Sequence, residues 1–218
     1  KKTYPDAVTA YRRTLAALPD GGAVVAAIGP FATLAQLMQS GPDAISPLCG
    51  SELFAKKVGA VVTMSSKFPK GREYNIICAP VSAIGFFDAC TVPLFFADFD
   101  TGFSVLSGFV SPDTDPGTNP VLLAYARYCP AVFGTAELMN ASYDLVAMHF
   151  AFEGESEVFG ISGPYRFTVT DEGENLFTPD PAGRCHRILK RISDEDLGAY
   201  YCRLLSDTGG TDHGKTDL

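Results

Sequence analysis

The apolar positions along this chain switch between two periods. From residue 5 to 18, Ala7, Val8, Tyr11, Leu15 and Leu18 recur at helical spacing. Pro5 suits the first turn of that helix, and "PDGG" (19–22) ends it. "AVVAAIG" (23–29) is a short continuous apolar run, the pattern of a strand covered on both faces. "GPFATLAQLMQ" returns to helical spacing, and "SELFAKK" (51–57) predicts a further helix capped by Ser51. "VGAVVTM" (58–64) is a second buried strand, "APVSAIGFFDAC" (79–90) a helix and "PLFFAD" (93–98) a third strand. Buried strands alternating with helices predict an α/β fold with a Rossmann-like, mostly parallel sheet and helices on both faces.

Beyond residue 100 the pattern loosens. "FVSPDTDPGTNP" (109–120) reads as a loop, "NPVLLAYARY" (119–128) and "YDLVAMHFAF" (143–152) as helices. "YRFTVTDEGENLFT" (165–178) predicts a hairpin turning at Asp171-Glu172-Gly173, and Ser193 to Leu205 a closing helix opened by a Ser-Asp-Glu-Asp cap. The expectation is one domain over residues 1–205, followed by a flexible tail, 206–218, rich in Gly, Asp and Thr.

Composition narrows the function. Hydrophobic residues make up 46% of the 218 and charged residues 19%, enough apolar material for a packed core. The net charge of −8 argues against non-specific nucleic-acid binding, which needs a basic surface to displace counterions. No apolar run reaches the length of a membrane-spanning helix. None of the six cysteines forms a CxxC or has zinc-finger spacing, so they read as small buried apolar side chains. The compartment stays open, cytoplasmic being slightly favoured over secreted.

Ligands of open parallel sheets bind beyond the carboxyl ends of the strands. That rule gathers Gly29 to Thr33, Met64 to Asn75, and Asp98-Phe99-Asp100, with Asp144 at a helix start as a fourth contributor. "VVTMSSKFPKGREYN" (61–75) places Glu73 and Asn75 two residues apart in a polar loop after a buried strand. A carboxylate and an amide so placed either grip a polar ligand or order their own loop. Asp144 is either a ligand-binding carboxylate or a favourable charge at a helix N-terminus. His149 reads as a packed histidine, and His186 has no partner at metal-ligand spacing. No GxSxG, P-loop or HExxH occurs.

In order along the chain, "AAIGPFATLAQLM", "VVTMSSKFPKGREYNIICAPVSA", "VPLFFADFDTG", "NASYDLVAMHFAFEG" and "GPYRFTVTDEGENLFTPDPAGRCHRIL" resemble segments of the inosine–uridine nucleoside hydrolase family. The last two are most similar to a branch with Ser-aromatic-Asp where other members have His-Asp-Pro. The resemblance spans roughly residues 3–205. It implies hydrolysis of the N-glycosidic bond of ribonucleosides with a calcium-activated water. By position, Asp144 matches a calcium-binding aspartate and Ala32 a residue that gives its backbone carbonyl to the ion. Met64, Glu73 and Asn75 match residues that hold the ribose, and Tyr143 a position that serves the leaving base.

The family's Asp-x-Asp-x-x-x-Asp-Asp signature, which supplies the general base, has no match here. "DTDPG" (113–117) imitates it in the wrong place. The resemblance therefore implies no catalytic base within these residues, N-terminal strands of the family fold lying upstream, and a partner segment in cis or in trans. The expectation is an N-ribohydrolase whose substrate is a ribonucleoside and which is inactive as this chain alone, with a homo-oligomer as a further possibility. The alternatives are a degenerate, non-catalytic nucleoside- or sugar-binding module and a structural subunit.

Overall fold

A computed structural model describes residues 4–109 and 119–206. They fall into two compact units, one within Lys1–Gly102 and Tyr143–Arg191, the other within Phe103–Ser142 and Ile192–Leu218.

The larger unit holds α1 (Ala7–Ala17), β1 (Ala23–Ala27), α2 (Ala32–Gln39), α3 (Gly50–Lys57), β2 (Val58–Met64), β3 (Lys70–Arg72), α4 (Tyr74–Ile77), α5 (Pro80–Ala89), β4 (Leu94–Ala97) and, entering from its end, α6 (Phe99–Phe103). The smaller unit contributes β5 (Leu106–Phe109), α7 (Pro120–Phe133) and β6 (Leu138–Ala141). The chain then returns to the larger unit as α8 (Tyr143–Glu153), β7 (Phe159–Val169), β8 (Glu174–Pro179) and β9 (Cys185–Lys190), before α9 (Asp194–Ser206) in the smaller one.

Seven strands of the larger unit form one mixed sheet in the order β1-β2-β4-β9-β7-β8-β3. β1, β2, β4 and β9 run parallel; β7, β8 and β3 add an antiparallel extension that contains the predicted hairpin. Strand alternation assigns the two faces. Val25, Ala27, Val61, Leu94, Phe96 and Cys185 join the core built with α1, α2, α3 and α5. The residues between them turn to the other face, where Phe95 packs on Phe150 of α8 with ring centroids 5.3 Å apart. Helices therefore cover both faces, as the apolar strand runs predict.

Phe96 is fully buried and lies against Phe87, Phe167 and Phe177, joining α5 to the hairpin. Arg12, 1% exposed, anchors α1: its guanidinium donates to Asp43, to the Ser40 hydroxyl and to the carbonyls of Ser46 and Leu48. The carboxyl of Asp43 is held down to about 2, chiefly by its hydrogen bond from Arg12.

In the smaller unit β5 and β6 pair antiparallel, and α9 lies on β5. A Cβ on Gly198 of α9 would sit 2.4 Å from the Leu106 carbonyl oxygen, so only glycine permits that approach.

Several details correct the sequence reading. α1 is capped by Asp6, whose carboxylate accepts from Thr9 N–H at 2.9 Å, and Pro5 precedes the cap. α3 starts one residue earlier than predicted, with Cys49 at its cap: the Cys49 N–H donates to Glu52. Residues 65–75, read as loop, contain β3 and the start of α4. β9 lies between β4 and β7 and carries no apolar run to announce it. All six cysteines are free; Cys90, Cys129 and Cys185 are buried, whereas Cys78 is exposed. The predicted loop at 109–120, with DTDPG in it, and the predicted tail lie almost wholly outside the described residues.

Candidate functional site

The neighbouring parallel strands β2 and β4 finish at Met64 and Ala97, and the chain beyond each is tied to the other. Ser65 and Ser66 are fully buried. The Thr63 hydroxyl links the Ala27 carbonyl, 3.1 Å away, and the Ser65 hydroxyl, 3.0 Å away. Ser66 has φ +78°, a left-handed conformation uncommon for a residue with a side chain. Its carbonyl accepts the Phe99 N–H at 2.9 Å, and its buried hydroxyl meets no partner among the described residues.

Met64, Glu73 and Asn75 come together behind this turn. Glu73 caps α4, its carboxylate accepting the Asn75 N–H at 2.9 Å. Burial pushes its carboxyl above the ordinary range, while backbone N–H groups of Asn75 and Ser66 pull the other way. The side-chain amide of Asn75 donates to the Met64 carbonyl at 2.9 Å and lies 3.5 Å from its sulfur. Glu73 and Asn75 are 4% and 9% exposed, so as they stand a ligand would meet their edges only.

At the end of β4, Asp98 is buried and paired with Arg187 of β9; it also accepts the Thr101 hydroxyl at 2.9 Å and the Asp100 N–H at 3.1 Å. Its oxygens are thereby occupied with holding α6. Phe99 next to it packs at a tilt on Tyr143, the first residue of α8, with ring centroids 5.2 Å apart, and carries the Lys67 ammonium 4.4 Å over its ring. Asn175 of β8 fixes Lys67, accepting its N–H at 2.9 Å and donating to its carbonyl at 2.8 Å. Thus Lys67, Phe99 and Tyr143 form one cluster drawn from the ends of β2 and β4 and the start of α8.

Asp144 occupies the first turn of α8 and is open to solvent on one side. The protein around it is dense enough to push its carboxyl above the usual aspartate range. Ala32 is the first residue of α2, and its carbonyl, as in any α-helix, points along the axis toward the C-terminal end. Among the described residues no three His, Cys, Asp or Glu side chains are grouped to hold a metal ion. His149 sits in α8, its Nε2 3.0 Å from Glu153 and its ring edge-on to Phe159.

Sequence reasoning missed Ser66, Lys67 and Arg187. Ser66 and Lys67 lie inside the quoted 61–75 stretch, where the unusual Ser-Ser after an apolar strand was the available signal. Arg187 belongs to β9, whose polar pattern hid the strand altogether.

No family model matches this sequence, and no curated protein matches it either. Among solved structures the fold is similar to that of the inosine-uridine preferring nucleoside hydrolase from Bacillus anthracis, with a TM-score of 0.62 and 13% identity. The match covers 94% of this chain and 67% of that one. At that identity the likeness shows the fold: a nucleoside hydrolase-like α/β sheet with its C-terminal hairpin and helix.

Proposed function

We propose that this chain recognises a ribonucleoside through its ribose and forms part of an N-ribohydrolase that cleaves the N-glycosidic bond. The observation that carries this reading is the meeting of Met64, Glu73 and Asn75 at the carboxyl end of β2. Vicinal ribose hydroxyls are donors and acceptors at once. A carboxylate beside an amide satisfies both, and a small opening of the α4 turn would present them. The Phe99–Tyr143 pair offers an aromatic face for a nucleobase, and the fold likeness to a nucleoside hydrolase supports the same ligand class.

Bond cleavage would pass through an oxocarbenium-like state, which a nearby carboxylate such as Asp144 stabilises. Calcium, the metal the resemblance implies, takes roughly six to eight oxygen ligands. Asp144 would give one carboxylate, and the Ala32 carbonyl is aimed along α2, so these residues do not make a calcium site by themselves. We propose that the remaining carboxylates and the general base come from a further polypeptide segment, in cis or in trans. In support, β1 pairs with β2 alone among the described residues and leaves Val24 53% exposed at an open sheet edge. A second reading, a nucleoside- or sugar-binding module without catalysis, is favoured by the strand-end carboxylate of Asp98, which is engaged by Arg187, Thr101 and Asp100.

Calorimetric titration of inosine and uridine into the chain tests the shared part of both readings. Saturable binding of either nucleoside is expected. No binding of either at millimolar concentration overturns both.

A further inference from the structure

Ser66 bears two costs at once. Its φ of +78° lies in the left-handed region, where a side chain crowds the backbone and glycine sits without penalty. Its hydroxyl is shut off from solvent and makes no hydrogen bond. A buried hydroxyl left unpaired has given up its bonds to water with nothing in return. Alanine at this position would avoid the second cost, and glycine both.

Other buried hydroxyls of the chain are paired. Thr63 bonds the Ala27 carbonyl and the Ser65 hydroxyl, and Thr101 donates to Asp98. In the smaller unit the hydroxyls of Ser107 and Ser142 lie 2.6 Å apart. Ser66 is held from both sides through its main chain. Its N–H donates to the Glu73 carboxylate, and its carbonyl accepts the Phe99 N–H at 2.9 Å. The side chain is thus the one part of a firmly placed residue that has no partner. Backbone strain and unpaired buried groups persist only where the surroundings impose them, and they gather at ligand sites. This one stands at the carboxyl end of β2, next to Glu73.

We propose that the Ser66 hydroxyl is a further sugar-binding group, forming a hydrogen bond with one ribose hydroxyl of the nucleoside beside Glu73. The inference rests on the ribose-binding reading of this site. A hydroxyl both donates and accepts, so it matches another hydroxyl whichever way that group is turned. Because Glu73 is bonded to the N–H of Ser66 itself, the opening of the α4 turn that presents Glu73 also uncovers the Ser66 hydroxyl. The ligand then supplies the bond that the folded chain lacks. Serine at this position serves binding and not stability.

The test is calorimetric titration of wild type, Ser66→Ala and Ser66→Gly with inosine and its three monodeoxy analogues, each lacking one ribose hydroxyl, together with thermal melting of each protein. Both variants are expected to melt at or above wild type, since an unpaired hydroxyl is removed and, in Ser66→Gly, the left-handed strain with it. Both are expected to bind inosine about tenfold more weakly, the loss of one hydrogen bond. One analogue is expected to bind wild type and Ser66→Ala equally, and it identifies the hydroxyl that Ser66 meets. A lower melting temperature of Ser66→Ala would show that the hydroxyl has a partner within the chain and would overturn the proposal. Equal inosine binding by wild type and Ser66→Ala, or an equal loss for all four ligands, also overturns it and leaves the ribose-binding reading standing. Absence of inosine binding by wild type overturns that reading and this proposal together.

Discussion

The side-chain amide of Asn75 donates to the main-chain carbonyl of Met64, eleven residues earlier, at 2.9 Å. Met64 ends β2, a strand paired on both sides, and Asn75 lies in the first turn of α4, so this bond folds the intervening segment back over the strand's carboxyl end. Glu73 secures the same turn from the other side through the Asn75 N–H. A segment that looks like surface loop is in this way held as a shaped wall.

The ion pair of Arg12 and Asp43 sets an acid limit. The folded-state carboxyl is lowered from 3.8 to about 2, so its contribution is present above the unfolded value and lost as pH falls through about 2. Urea titrations of wild type and Asp43→Asn should differ at pH 5, and the difference should shrink as pH falls toward about 2. Equal stability of the two proteins at pH 5 would remove the ion pair from the account.

Phe96→Ala should destabilise the larger unit by about 3–5 kcal/mol, because it empties a fully buried aromatic site between α5 and the hairpin. Chemical denaturation checks this; a loss below about 1 kcal/mol would mean that the cluster does not join the two halves of the sheet.

Much of this sheet was legible in the sequence. β2 occupies the predicted residues, because a strand buried on both faces needs an unbroken apolar run. β9 was not legible: Cys185, His186 and Arg187 alternate toward core, α8 face and Asp98, and their partners come from other strands. For the site, Glu73 and Asn75 stood out as polar residues after a buried strand. Their contact with Met64 depends on α4, too short to leave a period. Lys67 and Phe99 meet across a tertiary contact that no local pattern encodes.

Asp144 separates capping from ligand binding. Burial raises its carboxyl, so its contribution to stability is present below the ordinary aspartate range and lost as pH rises through the raised value. Asp144→Asn should therefore keep or slightly raise thermal stability at neutral pH. In an enzyme assembled with the proposed further segment, it should abolish calcium-dependent ribose release. Unchanged turnover and calcium affinity would leave Asp144 as a residue of the helix start alone.

The proposed dependence on a further segment predicts that the chain by itself does not release ribose from inosine or uridine, with or without calcium, since Asp144 is the one carboxylate it is proposed to give to the ion. A reducing-sugar assay on a monomeric fraction from sizing chromatography measures this. Calcium-dependent release by that fraction would contradict the need for a further segment.

Calorimetry of inosine against hypoxanthine, on wild type and Asn75→Ala, decides whether this chain recognises ribose. Thermal melting of the variant first establishes that it is folded, since the Met64 carbonyl loses its donor. Inosine binding is expected to weaken about ten- to hundredfold, the worth of a lost hydrogen bond of roughly 1–3 kcal/mol, while hypoxanthine binding holds. Equal weakening of the two ligands in a folded variant would contradict it, showing that the wall formed by Met64, Glu73 and Asn75 does not read the sugar.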